Sequence, residues 1–260
     1  MSDLTLSIQP PILCEEPPGS YVPGQLDLIG SIGLPHWEIA GELCEHRPFK
    51  FIDLFAGIGG FRLAFESLGG ECVFSSEWDK FAAATYCANF GETPFGDITL
   101  EETRAMIPDH DLLCAGFPCQ PFSLAGVSKH TSLGRKHGFA HPTQGTLFFE
   151  VAKVIRDHQP SMFILENVKN LVGHDRGRTF QIIMETLTDE LGYNVSWQVV
   201  DAAKLVPQHR ERVYLVGFKK PTEFAFPEFS AEGPNLGSIL ERRLDPKYTL
   251  SDKLWKYLQG

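Results

Sequence analysis

Phe51-Ile-Asp-Leu-Phe-Ala-Gly-Ile-Gly-Gly-Phe-Arg62 is the stretch that decides how this chain folds. Phe51 to Phe55 is apolar except at Asp53 and reads as a strand. A glycine-rich turn follows. Gly59 to Gly69 then reads as a helix, with Phe61, Ala64, Phe65 and Leu68 on one face at i, i+3, i+4 and i+7. A strand, a tight turn and a helix in this order open an α/β unit, and in open α/β sheets ligands bind at the carboxyl ends of the strands.

The same texture continues outward. Strands are predicted at Cys72–Ser76, Asp111–Phe117, Met162–Glu166, Tyr193–Asp201 and Arg212–Phe218, and helices at Lys80–Phe90, Thr146–Asp157 and Thr179–Leu191. A further strand is expected to end at Gly96-Asp97-Ile98. Strand–helix alternation of this kind means a mostly parallel sheet with helices on both faces. Upstream, Pro10-Pro11, Pro17-Pro18-Gly19 and Pro23-Gly24 break regular structure. Residues 1–48 are therefore read as an N-terminal extension, with room for one short helix within 25–45. No internal repeat or low-complexity tract is present.

The chain has 260 residues, enough for one large domain at roughly 150 residues per domain. No apolar run reaches the length of a membrane span, and the first residues lack the basic and apolar segments of a signal peptide. A cytoplasmic protein is expected. Six cysteines in a chain of this size are not a disulfide framework. No Cys-x-x-Cys pair occurs, so no metal site is expected. Lys and Arg number 23 against 33 Asp and Glu, a net charge of −10, which argues against a surface that is a nucleic-acid platform throughout. A local basic patch is still open.

The glycine turn departs from the dinucleotide fingerprint. Counted from Gly57, the third glycine of G-x-G-x-x-G falls on Arg62, so a pyrophosphate at the helix start is disfavoured. Glu77 stands at the end of the second strand, where an acid takes ribose hydroxyls. Trp78 offers a flat face to an adenine ring, and Asp97 an acceptor for its amino group. The set describes an adenosine-containing ligand with little phosphate, and S-adenosylmethionine fits better than a nicotinamide dinucleotide.

Gly116-Phe-Pro-Cys-Gln-Pro-Phe-Ser123 follows a strand directly. Two prolines bracket Cys119 and stop the sheet, presenting the thiol at the strand's carboxyl end as a candidate nucleophile. From Gln120 to Phe149 there is no Asp or Glu, while Lys129, Arg135, Lys136 and three histidines are present. In an acidic chain, this segment reads as a mobile basic loop facing a polyanion. Leu165-Glu166-Asn167-Val168 ends another strand. In Gln208-His-Arg-Glu-Arg212, alternation on an extended segment sets Gln208, Arg210 and Arg212 on one face, as a site or a structural clamp.

These blocks, in this order, resemble the DNA (cytosine-5)-methyltransferases, most closely those of bacterial restriction-modification systems. The resemblance runs from about 50 to 220 through Asp53–Gly60, Glu77-Trp78, Gly96-Asp97-Ile98, the Pro-Cys-Gln block, Gly145-Thr-Leu-Phe, Glu166-Asn-Val and Gln208-x-Arg-x-Arg. It implies a Rossmann-like S-adenosylmethionine-dependent methyltransferase fold and double-stranded DNA as substrate. The methyl donor is S-adenosyl-L-methionine and the product S-adenosyl-L-homocysteine. Cys119 takes the nucleophile's role at cytosine C6. Glu166 is the acid at N3, with a raised pKa obtained by burial. Asn167 orients the site, and Arg212 with Arg210 meets O2 and phosphate charge. Phe55, Gly57, Gly59, Gly60, Glu77, Trp78, Asp97, Ile98, Pro118 and Leu147 are carried over as cofactor positions. The target base must leave the duplex, and the loop after Cys119 is the natural lid over it.

The family pattern continues with a target-recognition domain and late motifs that do not occur here. The expected organisation is an extension over 1–48, a catalytic domain over 49–230, and in 231–260 the start of a link to a recognition region, with an amphipathic helix from Ser251-Asp252. Either a second polypeptide carries recognition, or the chain is a fragment; each leaves it inactive or weakly active alone. A non-catalytic cofactor- or DNA-binding piece is the alternative of another class.

Overall fold

The computed structural model describes residues 49–118, 147–229, 233–240 and 249–259. The expectations for 1–48, for Cys119 and for the basic loop through 146 lie outside the described residues.

The elements in chain order are β1 (Lys50–Leu54), α1 (Gly60–Glu66), β2 (Glu71–Ser76), α2 (Lys80–Phe90), α3 (Glu101–Arg104), β3 (Leu112–Ala115), α4 (Leu147–His158), β4 (Met162–Val168), α5 (Arg178–Glu185), β5 (Asn194–Asp201), β6 (Glu211–Phe218) and α6 (Asp252–Gln259). One six-stranded sheet has the order β2-β1-β3-β4-β6-β5. The pairs β1–β2, β1–β3 and β3–β4 are parallel. Only β6 runs against the others, pairing antiparallel with both β4 and β5.

The apolar runs of β1 and β3 follow from burial on both faces. Phe51, Leu112 and Cys114 look to one side, where Phe61 and Phe65 of α1 cover them. Ile52, Leu54, Leu113 and Ala115 look to the other, against Phe148, Val151, Ala152 and Ile155 of α4 and Phe180 and Ile183 of α5. Each fully buried Leu, Ile or Phe is worth roughly 1.5–3 kcal/mol, so these two layers hold the sheet between helices.

Three local expectations are corrected. No strand precedes Gly96; Phe95 makes a single parallel bridge to Ser76, and the chain turns at Asp97 through Thr99 into α3. Gln208–Arg210 is not extended strand, since β6 begins only at Glu211. The helix predicted over Thr179–Leu191 is α5 followed by a π-helical turn, Thr186–Glu190, which widens the helix before Gly192 stops it. The amphipathic helix expected from Ser251-Asp252 is α6, and its Leu254, Trp255, Tyr257 and Leu258 are exposed. Among the described residues, no helix is long and apolar enough to cross a membrane, and no group of three or more His, Cys, Asp or Glu could hold a metal ion.

Candidate active site

The carboxyl ends of β1 and β2 build one pocket. Phe55, Ser76, Glu77, Trp78, Gly96, Asp97, Ile98, Thr99 and Leu147 line it. Six of the predicted cofactor positions, Phe55, Glu77, Trp78, Asp97, Ile98 and Leu147, therefore share one cavity. Gly57, Gly59 and Gly60 form the turn beside it, and Pro118, exposed, lies at the end of β3.

Short-range hydrogen bonds shape this pocket. Glu77 Oε2 accepts the Gly57 N–H at 2.8 Å, and Glu77 Oε1 accepts the Asp79 N–H at 2.8 Å. Each oxygen keeps a second lone pair for a ligand hydroxyl. Ser76 donates its hydroxyl to Gly96 O at 2.7 Å, and Asp97 Oδ1 accepts from Thr99 N at 2.8 Å. Trp78 is 75 % exposed, its ring free to face a ligand. Gly59 is irreplaceable: its φ is +92°, and a Cβ there would lie 2.1 Å from the Phe90 ring.

Arg62 explains why a third glycine is unnecessary. Its guanidinium turns away from the turn toward α2, 2.7 Å from Glu66, 2.8 Å from Glu92 and 3.1 Å from the Tyr86 hydroxyl, with the Phe90 ring beneath it. Arg104 was missed by sequence reasoning. It donates to Ile98 O at 3.0 Å and Thr99 O at 2.6 Å and is anchored by buried Glu150 at 2.9 Å, so it fixes one wall of the pocket. A signal was available: Glu150 is a lone acid on the apolar face of α4.

A second constellation stands at the ends of β3, β4 and β6. Asn167, almost fully buried, donates to Phe117 O at 2.8 Å and accepts from Val168 N at 2.8 Å. It ties the end of β4 to the backbone just before Pro118. Glu166 Oε1 lies 2.8 Å from Arg212 Nε. Its other oxygen rests against Gly116, whose Cβ, if present, would be 3.5 Å away. The Glu166 side chain is 23 % exposed. The burial expected for it is thus partial among the described residues, with Arg212 reaching it from β6. Gln208, Arg210 and Arg212 line one cleft with Lys169 and His209, brought there by the turn into β6 rather than by strand alternation.

Two buried groups and one half-buried thiol complete the electrostatics. Burial pushes the Asp53 carboxyl up to about 8, with the negative charge of Glu77 adding to the effect and Arg62 opposing it. Burial also raises the thiols of Cys72, to about 11, and Cys114, further still. Both are packing residues and poor nucleophiles.

The fold is shared with solved structures. The methyltransferase EhMeth of Entamoeba histolytica superposes with a TM-score of 0.58 at 18% identity, over 80% of this chain and 64% of that one. The S. pombe Dnmt2 methyltransferase gives 0.58 and 18%, over 81% and 65%. The architecture is the Rossmann-like α/β fold shared with these methyltransferases.

The family model described as C-5 cytosine-specific DNA methylase matches residues 49–259, and the chain belongs to that family. A DNA-cytosine methyltransferase of Escherichia coli is 50% identical over 250 residues, covering 82% of this chain and 53% of its own length. The type II methyltransferase M.HpaII of Haemophilus parainfluenzae is 54% identical over 210 residues, covering 78% and 56%. The chain spans about half the length of these curated relatives.

Proposed function

We propose that this chain carries the catalytic domain, residues 49–230, of a DNA (cytosine-5)-methyltransferase, which methylates a flipped-out cytosine of duplex DNA through a covalent Cys119–C6 adduct. The observation that carries the reading is the juxtaposition of two sites on one sheet edge. The pocket of Glu77, Trp78 and Asp97 opens at the ends of β1 and β2, and the Glu166–Arg212 pair stands two strands away. Asn167 ties the backbone that leads into Cys119 to that pair.

The pocket fits an adenosine-type cofactor by its donor set: carboxylates for ribose hydroxyls, an exposed indole for adenine and an apolar floor of Phe55, Ile98 and Leu147. S-adenosyl-L-methionine, when bound, supplies an electrophilic methyl on a sulfonium. Glu77 and Asp97 accept its polar edges, and the glycine turn lets backbone approach it.

The target carbon is unreachable inside a duplex, so the cytosine swings out into the site. The Cys119 thiolate forms a bond to C6, and the C5=C6 electron pair becomes available at C5. Glu166 donates a proton at N3, which offsets the negative charge that addition places on the ring. Arg212 donates to O2, and Arg210 faces phosphate. C5 would take the methyl as its bond to the donor's sulfur breaks, a base removes the C5 proton, N3 returns its proton to Glu166, and the C6–S bond breaks to regenerate the Cys119 thiolate.

Incorporation of labelled methyl into DNA tests the activity, run with and without any polypeptide encoded downstream, because target recognition is assigned to a region other than 49–230. Cys119→Ser is expected to lower methyl transfer by at least about 10³-fold while cofactor binding persists. A duplex with 5-fluorocytosine at the target is expected to trap an adduct that survives denaturation. An active serine variant, or no adduct with a competent protein, overturns the covalent step.

A further inference from the structure

The cleft beside Glu166 and Arg212 is shaped by a residue with no role in the mechanism so far. The β5–β6 ladder ends at the pair Asp201–Glu211. Beyond it, the connection 202–210 has to bring Gln208, His209 and Arg210 back to the sheet edge. Main chain supplies part of the closure: Ala202 N donates to Arg210 O at 3.1 Å, Leu205 N and Val206 N donate to Ala202 O, and Gln208 N to Val206 O.

The Asp201 carboxylate supplies the rest. Its Oδ1 accepts from Ala203 N at 3.0 Å, opening the short 3₁₀ turn Ala202–Lys204, and from Arg210 N at 3.0 Å. Its Oδ2 lies 2.7 Å from His209 Nδ1. One side chain thus bonds both ends of the connection and extends the ladder one step past its last pair. Charge-assisted bonds to backbone N–H groups are about twice as strong as neutral ones, so this carboxylate is a strong clasp. These partners, the Ala203 N–H first, hold its carboxyl below the usual carboxylate range. The line continues through the second nitrogen of His209, 3.9 Å from Glu211 Oε2, to Lys169, 2.7 Å from Glu211 Oε1. Lys169 follows β4 directly, so the clasp spans the cleft from the loop to the strand that carries Glu166 and Asn167.

We propose that Asp201 is a positioning residue for the target-base side of the site: its carboxylate closes the 202–210 connection and sets Gln208, His209 and Arg210 on the rim beside the Glu166–Arg212 pair. Its consequence for catalysis rests on the methyltransferase reading above. Asp201 is remote from the cofactor pocket, whose lining residues come from other elements. Loosening it therefore acts on the nucleic-acid substrate and leaves the cofactor alone.

The test uses the full chain with Asp201→Ala and Asp201→Asn. Asparagine keeps an oxygen for the Ala203 and Arg210 N–H groups and an amide that donates to neutral His209, so it rescues. With a cytosine-containing duplex and labelled S-adenosylmethionine, D201A is expected to lose about tenfold in kcat/KM for DNA. Its cofactor Kd stays within about twofold, and D201N stays close to the parent. In parallel, hydrogen exchange reads the Arg210 amide, which should lose about tenfold in protection in D201A and keep it in D201N. Equal kcat/KM in D201A and parent, or a D201N as impaired as D201A, overturns the positioning role. If the parent transfers no methyl to DNA even when any polypeptide encoded downstream is supplied, the methyltransferase reading fails on its own. The clasp is then decided by exchange alone, and unchanged Arg210 protection in D201A overturns it.

Discussion

The two halves of the sheet edge are built in different ways. The pocket at β1 and β2 comes from nearly contiguous chain: Gly57 to Glu77 and Ser76 to Gly96 are each bonds across 20 residues, and Asp97 to Thr99 spans two. Half of its polar shape is backbone donating to side chain, at Glu77 and Asp97, and Arg104 on Glu150 closes one wall. The constellation at β4 and β6 is assembled at long range. Asn167 reaches Phe117 across 50 residues, and Glu166 meets Arg212 only because β6 reverses direction and pairs with β4. The first half is a rigid receptor that exists once the α/β unit has folded. The second depends on side-chain pairs that a single substitution can separate. Under the proposed function, the first half would hold the methyl donor and the second would admit the base.

Substitutions that strike one half and spare the other test the contrast. The largest effect is expected from Glu166→Gln, which cannot deliver a carboxyl proton at N3. Methyl transfer should fall by about 10²–10⁴-fold with cofactor affinity unchanged, as single-turnover rates and calorimetric titration would show. A parallel loss of cofactor affinity would break the separation of the halves.

Gly59→Ala strikes the other half. The methyl group meets the Phe90 ring at a φ that L-residues rarely adopt, a strain of about 1–3 kcal/mol. A lowered Tm and a cofactor Kd about tenfold weaker are expected, with little change in the rate at saturating cofactor. A wild-type cofactor Kd would mean that the glycine turn does not shape the pocket.

The smallest effect on methyl transfer is expected at Asp53, buried beneath the glycine turn, where stability is the readout. Its folded pKa, about 8, lies above the ordinary carboxylate value of 3.8, so the folded chain binds the extra proton. Stability is therefore fully present below that ordinary value, declines as pH rises toward about 8 and is flat above. Arg62 and Glu77 are the charges that face it. Asp53→Asn should flatten the Tm profile between about pH 5 and pH 9. An unchanged slope would show that another group carries it.

Much of the cofactor half was legible in the sequence. Glu77, Trp78 and Asp97 follow from position relative to strands, Phe55, Ile98 and Leu147 from the family resemblance, and all six line one cavity. Arg104 was not legible as a wall of that cavity, because its partner Glu150 is 46 residues away. On the other half, Glu166, Asn167 and Arg212 were selected by type and order, yet their contacts were not foreseen. Alternation placed Gln208, Arg210 and Arg212 on an extended segment, whereas a closed connection delivers the first two to the cleft. Asp201 went unnoticed, since nothing in a strand-ending aspartate announces three hydrogen-bond donors near it.

The sequence by itself determined the α/β alternation, the glycine turn and the residue types offered at the candidate site. These depend on period, turn chemistry and residue type, which are local properties. Tertiary structure alone decided the reversal of β6, the turning of Arg62 toward α2, the pairing of Arg212 with Glu166 and the clasp at Asp201. Each depends on which distant segment the sheet brings within hydrogen-bond reach, and a one-dimensional pattern does not encode that distance.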